Sequence, residues 1–464
     1  MLSIILLSVS GIATLFMGFN KSRNLLIPAV LLFLLLALAA NILDWNNPFA
    51  LSSVYNNNMM TVDKISVVFS SILLLSAFLV LPFSQNYIDK PQAQPAEYYA
   101  ILLFSLVGAL MMTSYDNLIM LFVGVEILSI SMYVLTGSDK RNLRSTEAAL
   151  KYFLMGAFAT GILLFGVAML YGATASFSLQ GIGEYVSNTI GNPSPLLYIG
   201  LALVLVGILF KVSAAPFHFW TPDVYEGAPT LFTAFMSTIV KTAGFAALYR
   251  LLSVSFTGIY DFWVLSIALV ALLTLVIGNI SAAYQVSFKR MMAFSSISHA
   301  GYLLIAVIAF QETSQTAILF YSLAYSVATI AAFGILILVA DKTGSEEYVA
   351  FNGLAKNNPL LALVMTVSMC SLAGIPLTGG FFGKFLIFST AFARGGVNWL
   401  LVAAILMSTV GIYYYFRVIL AMYIREGKTE TITLTTLQQA TLILCLIFIL
   451  VLGIMPNLVV GLMN

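Results

Sequence analysis

Apolar runs of about 18 or more residues, each closed by a short polar stretch, recur from one end of this chain to the other. They predict fourteen spans, near residues 2–19, 24–42, 62–84, 98–115, 117–136, 146–172, 196–219, 228–250, 258–284, 289–310, 313–340, 359–386, 396–424 and 434–458. In hydrocarbon the backbone has no water to bond with, and a helix is the only single segment that satisfies its own amides. The expectation is an all-α polytopic membrane protein of about 14 transmembrane helices. The longest polar connections, around 43–61, 85–97, 173–195 and 341–358, are too short to fold by themselves.

Two spans carry breaks. Span seven runs into LFKVSAAPFHFW, residues 209–220, where Lys211 precedes Pro216. Span twelve contains SLAGIPLTGGFFGKF, residues 371–385, where Lys384 follows Pro376 and a set of glycines. Proline removes a helix donor and drives the preceding residue out of helical geometry, so both helices are predicted to be discontinuous. They lie five apart in the count and cross in opposite directions, the pattern of inverted repeats. The predicted repeats are spans four to eight, residues 98–250, and spans nine to thirteen, residues 258–424, with residues 1–97 ahead and 434–464 behind. This pairing sets Lys211 against Lys384 and Glu126 against His299.

Composition agrees with the pattern. Hydrophobic residues make up 61% and charged residues 8%, against roughly 25% charged in soluble domains. The net charge of +2 comes without a basic run that could hold nucleic acid. Met1 is followed at once by apolar residues, and Lys21 and Arg23 come after the first span, the reverse of a secretion signal, so that span is expected to persist as a helix. Cys370 and Cys445 are too few for a metal cluster.

The scarcity of charge makes each charged residue informative. Connections after odd-numbered spans hold Lys21, Arg23, Lys90, Lys140, Arg141, Arg144, Lys289, Arg290, Lys342, Lys356, Arg425 and Lys428, whereas those after even-numbered spans hold Arg250 and Arg394. The positive-inside rule then places the odd connections in the cytoplasm and, with an even number of spans, both termini outside. Lys64 and Lys151 lie near helix starts, where long stems reach the interface, and Arg417 is an intermediate case. Lys211, Lys241 and Lys384 remain at depth. Of the acidic residues only Glu126, in LFVGVEILSIS, lies deep in a span. His299, in FSSISHAGY, falls near a midplane, and His218 follows the first break.

A lone buried lysine can snorkel or lose its charge, and the run SSISH could be interhelical glue of small polar groups. His218 sits among aromatic residues that could anchor an interface. Lys151 follows Glu147 at an i,i+4 spacing, which suits a surface pair or a proton feed from the cytoplasm. Several charges at one depth weigh the other way. Each costs about 2.5–3.5 kcal/mol on insertion scales, and such residues usually mark pathways or relays.

The strings EAALKYFLMGAFATGILLFGVAMLYGA, FKVSAAPFHFWTPDVYEGAPT, IVKTAGFAAL, KRMMAFSSISHAGY and GIPLTGGFFGKF resemble the antiporter-like membrane subunits of respiratory complex I, the proton-translocating NADH:quinone oxidoreductase. The resemblance covers essentially the whole chain and is strongest from about 98 to 424. It implies that Glu126, Lys211, Lys241 and Lys384 are proton-channel residues, and that NADH, FMN, iron–sulfur clusters and quinone belong to partner subunits, with no cofactor in this chain. The partners expected are the other membrane subunits of the complex, neighbouring antiporter-like subunits among them, and the lipid bilayer. The largest antiporter-like subunit continues into a long lateral helix where this chain stops at Asn464, and the middle one typically has glutamate where this chain has Lys384. Both features favour the third subunit of the set. The alternatives are a subunit of a multi-subunit cation/proton antiporter and a structural membrane subunit without a channel of its own.

The energy for transport must come from outside the chain. Moving one charge against about 150 mV costs roughly 3.5 kcal/mol. The sequence holds no phosphate-binding GxxxxGK[ST] loop, no dinucleotide-type glycine fingerprint in a βαβ setting and no cysteine spacing for an iron–sulfur centre.

Overall fold

The computed structural model describes residues 1–19, 25–46, 59–85, 94–189, 193–427 and 430–461. Lys21, Arg23, Lys90 and Lys428 of the charge count lie outside the described residues. The helices are α1 (Leu2–Met17), α2 (Leu26–Asn46), α3 (Lys64–Val80), α4 (Pro95–Ser114), α5 (Leu118–Thr136), α6 (Leu143–Thr174), α7 (Leu179–Asn188), α8 (Pro195–Lys211), α9 (Trp220–Gly227), α10 (Thr230–Phe235), α11 (Lys241–Ser255), α12 (Tyr260–Ala283), α13 (Phe288–Ala309), α14 (Glu312–Thr343), α15 (Leu354–Asn357), α16 (Pro359–Ala373), α17 (Gly379–Arg394), α18 (Asn398–Tyr423), α19 (Thr436–Ile454) and α20 (Asn457–Val460). A wider π-helical turn, Met236–Val240, joins α10 to α11.

Among the described residues, eleven helical segments are long and apolar enough to cross a membrane, and three shorter apolar helices, Leu2–Met17, Pro195–Lys211 and Pro359–Ala373, complete the fourteen predicted spans. Two of the short ones are the leading halves of the interrupted helices. The breaks differ from a simple proline kink. α8 ends on Lys211, five residues before Pro216, and Ser213 turns to φ 63. α16 ends at Ala373, and Gly374 at φ 86 closes it by donating to the carbonyls of Cys370 and Ser371. Left-handed geometry costs a side chain steric energy that glycine does not carry.

Helix starts follow local capping chemistry. Asn117 accepts from the Ile119 amide at the head of α5, Asn142 from Arg144 at α6, and Ser287 from Arg290 at α13. One prediction missed an element: the polar connection 173–195 contains α7, whose Leu179, Ile182 and Val186 are buried on one face while the rest stays polar. A window tuned to transmembrane length averages such a short amphipathic helix away.

The chain divides into two compact units, Met1–Phe78, Gln92–Trp220 and Ile239–Ile267 in the first and Leu79–Pro91, Thr221–Thr238 and Ala268–Asn464 in the second. In the first, α4 and α5 pack backbone to backbone. A Cβ on Gly108 would lie 2.6 Å from the Gly124 carbonyl oxygen and from the Leu128 nitrogen, the small-residue approach by which helices associate without a hydrophobic driving force. Residues 241–252 of α11 are buried throughout, whereas α6 exposes Leu150, Phe153, Leu154, Phe158 and Phe165. The second unit repeats the division. α13 and most of α14 are buried, and α18 exposes Val402, Ile405 and Leu406. Polar side chains concentrate on the buried helices of each unit, as a lipid surround requires.

Two residues counted above as loop markers are parts of buried helices. Arg250 is inside α11, with Nε donating to the Tyr115 carbonyl at 2.7 Å and a terminal nitrogen 2.8 Å from the Asp63 carboxylate. Lys289, in the first turn of α13, is buried and donates to the Ala228 carbonyl at 2.6 Å and to Glu346 at 3.1 Å. Hydropathy cannot separate a charged residue just outside a span from one folded back against the helix ends. Neighbouring Arg290 pairs with Asp223 and Glu226. Arg417 caps α12, donating to the Ala283 carbonyl at 2.9 Å, with its guanidinium over the Tyr348 ring.

Candidate proton-relay sites

The first unit gathers a cluster around Lys211. Its ammonium, buried at the end of α8, donates to Ser129 Oγ at 2.6 Å and lies 5.9 Å and 5.7 Å from the rings of Tyr133 and Tyr152. Tyr152 stacks on Trp220 with centroids 4.6 Å apart, and Trp220 donates back to the Phe210 carbonyl, which fixes the wall of the pocket to the end of α8. Aromatic faces attract a cation without competing for its proton. Glu126 sits at the middle of α5, half-buried, one turn before Ser129, and acts electrostatically on both Lys211 and Tyr133.

Lys241 opens α11 directly after the π turn and is buried. A π turn widens the helix and redirects the next side chain, and such turns are frequent at functional sites. α11 packs on the end of α8 without a gap: a Cβ on Gly244 would come within 2.6 Å of Val212. Val212, next to Lys211, and Gly244, one turn after Lys241, are thus in contact. His218 is buried in the break with its ring stacked on Phe219, and its Nδ1 has no hydrogen-bond partner among the described residues. Lys151 is not drawn into this cluster. It forms a surface pair with Glu147 at 2.8 Å on α6, both side chains well exposed.

The second unit builds its cluster on α13, α14, α17 and α18. His299, in the middle of α13, has Nδ1 2.6 Å from the Tyr321 hydroxyl and Nε2 2.9 Å from the Tyr415 hydroxyl, and Tyr415 also shares a hydrogen bond with Ser295. A neutral imidazole must accept from one of these phenols and donate to the other; an imidazolium donates to both. Lys384 reaches back from α17 to the buried C-terminal end of α16. Its Nζ donates to the carbonyls of Leu372 at 3.2 Å and Ala373 at 2.9 Å, and it stands 4.8 Å from the Tyr302 ring. Those carbonyls are the unsatisfied negative end of a helix, a favourable seat for a cation. Tyr302 in turn meets the His299 ring edge to face at 6.0 Å, so lysine, tyrosine and histidine form one continuous cluster.

Sequence reading had missed Ser129, Tyr133, Tyr152, Tyr302, Tyr321 and Tyr415. Helical spacing carried part of the signal: Ser129 and Tyr133 follow Glu126 by three and seven positions, and Tyr302 follows His299 by three. At the head of α5, outside the spans, burial pushes the Asp116 carboxyl above its ordinary value, opposed by a hydrogen bond from Thr61 and by the Arg250 charge. Among the described residues no three His, Cys, Asp or Glu side chains converge as a metal site would need.

Residues 115–411 match the family described as NADH:quinone oxidoreductase/Mrp antiporter, transmembrane. NADH-quinone oxidoreductase subunit N of Flavobacterium psychrophilum is 40% identical over 464 residues, covering 99% of this chain and 100% of that one. A chain of respiratory complex I from Thermus thermophilus superposes with a TM-score of 0.82 at 34% identity, over 99% of this chain and 98% of that one. A chain of the Mrp complex from Dietzia sp. shares the fold, with a TM-score of 0.85 at 20% identity over 99% of this chain and 95% of its own. Geometry, family match and near-full-length identity agree: the chain belongs to the antiporter-like membrane subunits of the NADH:quinone oxidoreductase/Mrp antiporter family, in the group of NADH-quinone oxidoreductase subunit N.

Proposed function

We propose that this chain is a proton-translocating membrane subunit of NADH:quinone oxidoreductase, in which Glu126, Lys211, Lys241, His299 and Lys384 relay protons across the membrane. Redox chemistry in partner subunits, which carry NADH, FMN, iron–sulfur clusters and quinone, supplies the energy. His218 and Lys151 stand at the edge of the relay, the first beside the break and the second toward the cytoplasm. The interrupted helices are the equivalent parts of repeats 98–250 and 258–424, flanked by 1–97 and 434–464.

One contrast carries the reading. Three structural cations have carboxylate partners, Arg250 with Asp63, Lys289 with Glu346, and Arg290 with Asp223 and Glu226, while Arg417, which rests on carbonyls and a ring, is an arginine that keeps its charge in any case. Lys211 and Lys384 are held by a hydroxyl, by two carbonyls and by aromatic faces. A buried cation paired with a carboxylate keeps its charge, because removing it strands the partner. One held by neutral groups can release a proton and leave no stranded ion.

Glu126 supplies the control. A fixed negative charge near Lys211 favours its ammonium, and screening that charge lets the proton go on to Lys241. From there the proton reaches His299 and its phenols, then Lys384, and leaves on the periplasmic side. Glu126→Gln, in the assembled complex, should cut NADH-driven proton uptake by inverted membrane vesicles about five- to a hundredfold, the range of couplings of about 1–3 kcal/mol. Glu126→Asp keeps the charge with a shorter reach and should be milder. Unchanged uptake in the glutamine variant would remove Glu126 from the relay and return the subunit to a structural role.

The proposed orientation has the connection between α5 and α6 in the cytoplasm. Ser138, at its start, is buried, but Lys140 beside it is exposed. A Lys140→Cys variant, with Cys370 replaced by serine, should react with an impermeant thiol reagent only from the cytoplasmic face. Labelling from the periplasm alone reverses the assignment.

A further inference from the structure

The Lys211 ammonium is not seated on the nearest acid. It is on Ser129, three residues beyond Glu126 on α5, while Ser129 Oγ donates its own proton to the Val125 carbonyl in the preceding turn. The hydroxyl is fully buried, accepting from Lys211 and donating to the backbone. Around the ammonium stand Glu126 and Tyr133 from α5, Tyr152 from α6 beside the surface residue Lys151, and α11, which carries Lys241. Among these described groups only Ser129 Oγ is within hydrogen-bond distance of Lys211 Nζ, and the Tyr133 and Tyr152 rings stand 5.9 Å and 5.7 Å away.

We infer that Ser129 is a positioning residue that parks Lys211 away from Glu126 and holds it there in both of its protonation states. A hydroxyl is donor and acceptor at once and rotates to suit its partner. Toward the ammonium, Ser129 accepts and its hydrogen stays on Val125. When Lys211 passes one proton to the next group and becomes a neutral amine, the Ser129 O–H swings from the Val125 carbonyl to the free lone pair on Lys211 Nζ. No proton is exchanged with Ser129, and the Val125 carbonyl keeps its place in the helix ladder. The amine stays seated through the cycle and regains its proton at the same position.

The parking has an electrostatic purpose. At contact with Glu126 the lysine would form a buried ion pair whose charges hold each other, and such a pair gives up its proton reluctantly. At one turn's remove Glu126 biases Lys211 without capturing it. Without the hydroxyl, the flexible lysine stem has Glu126 as its strongest remaining partner. Ser129→Ala is therefore expected to lock Lys211 in its charged form, and the lock should depend on Glu126.

This inference rests on the reading of Glu126 and Lys211 as relay groups, and its test separates the two. Redox-driven proton uptake is measured in vesicles carrying the assembled complex with Ser129→Ala, Ser129→Thr, Glu126→Gln, Lys211→Ala and the double variant Ser129→Ala/Glu126→Gln. Ser129→Ala should slow uptake about tenfold, the weight of a hydrogen bond to a charged group. Ser129→Thr keeps the hydroxyl and should restore it. The double variant should be no slower than Glu126→Gln alone, because the acid that captures the lysine is gone. Normal uptake in Ser129→Ala, failure of threonine to rescue, or a double variant that multiplies the two single losses each overturns the parking role. Normal uptake in Lys211→Ala overturns the relay reading itself, and the parking role with it.

Discussion

Lys241→Ala should abolish redox-driven proton translocation while leaving the subunit folded and the complex assembled. Lys241 is buried where the π turn ends, at the head of a helix enclosed over its first three turns. A buried lysine carries an insertion cost of about 2.5–3.5 kcal/mol, so its removal relieves a burden and should not unfold the span. Alanine offers no titratable atom at this point. Loss of a positioned acid–base group slows proton transfer by about 10²–10⁴-fold, which in a vesicle assay reads as no pumping. Native gels would report assembly, and ferricyanide reduction by NADH would report the redox arm. Pumping at the parental rate would exclude Lys241 from the path.

Lys384 should prove equally indispensable, and arginine should not replace it. Its two carbonyl partners, Leu372 and Ala373, need two N–H donors, and a neutral amine has two. The third hydrogen of the ammonium can therefore come and go without breaking either bond. Arginine keeps a charge that it cannot release. Space is short as well: a Cβ on Gly374 would stand 2.9 Å from Lys384 Cδ, so the lysine stem already lies against the α16 turn. Translocation should fall about a hundredfold in Lys384→Ala for want of the titrating group, and Lys384→Arg should fail with it although the charge remains. Normal translocation in the alanine variant removes Lys384 from the route. Rescue by arginine reassigns it to electrostatic support.

Much of this was legible beforehand because a membrane makes charge conspicuous. Glu126, Lys211, Lys241, His299 and Lys384 stood out against apolar surroundings, and the Pro216 and Pro376 segments marked the two breaks. What escaped was whatever does not change hydropathy. Tyr133, Tyr152 and Tyr302 read as ordinary aromatic residues of a span, yet they line the lysine seats. Arg250 and Lys289 read as surface markers because the sequence does not reveal that Asp63 and Glu346 are folded over them. The partners of a charge come from distant segments, and only the packed chain brings them to it.

On the proposed relay, the glycine contact between α4 and α5 limits how control reaches the Glu126 carboxylate. With Gly108 and Gly124 at backbone contact, α5 has no cushion of side chains on which to slide or roll against α4. The helix that bears Glu126 is in effect bolted to its neighbour two residues away from the acid. A signal arriving at Glu126 must then be expressed as a rotation about its side-chain bonds, fast and short in reach, in place of a piston stroke of the helix.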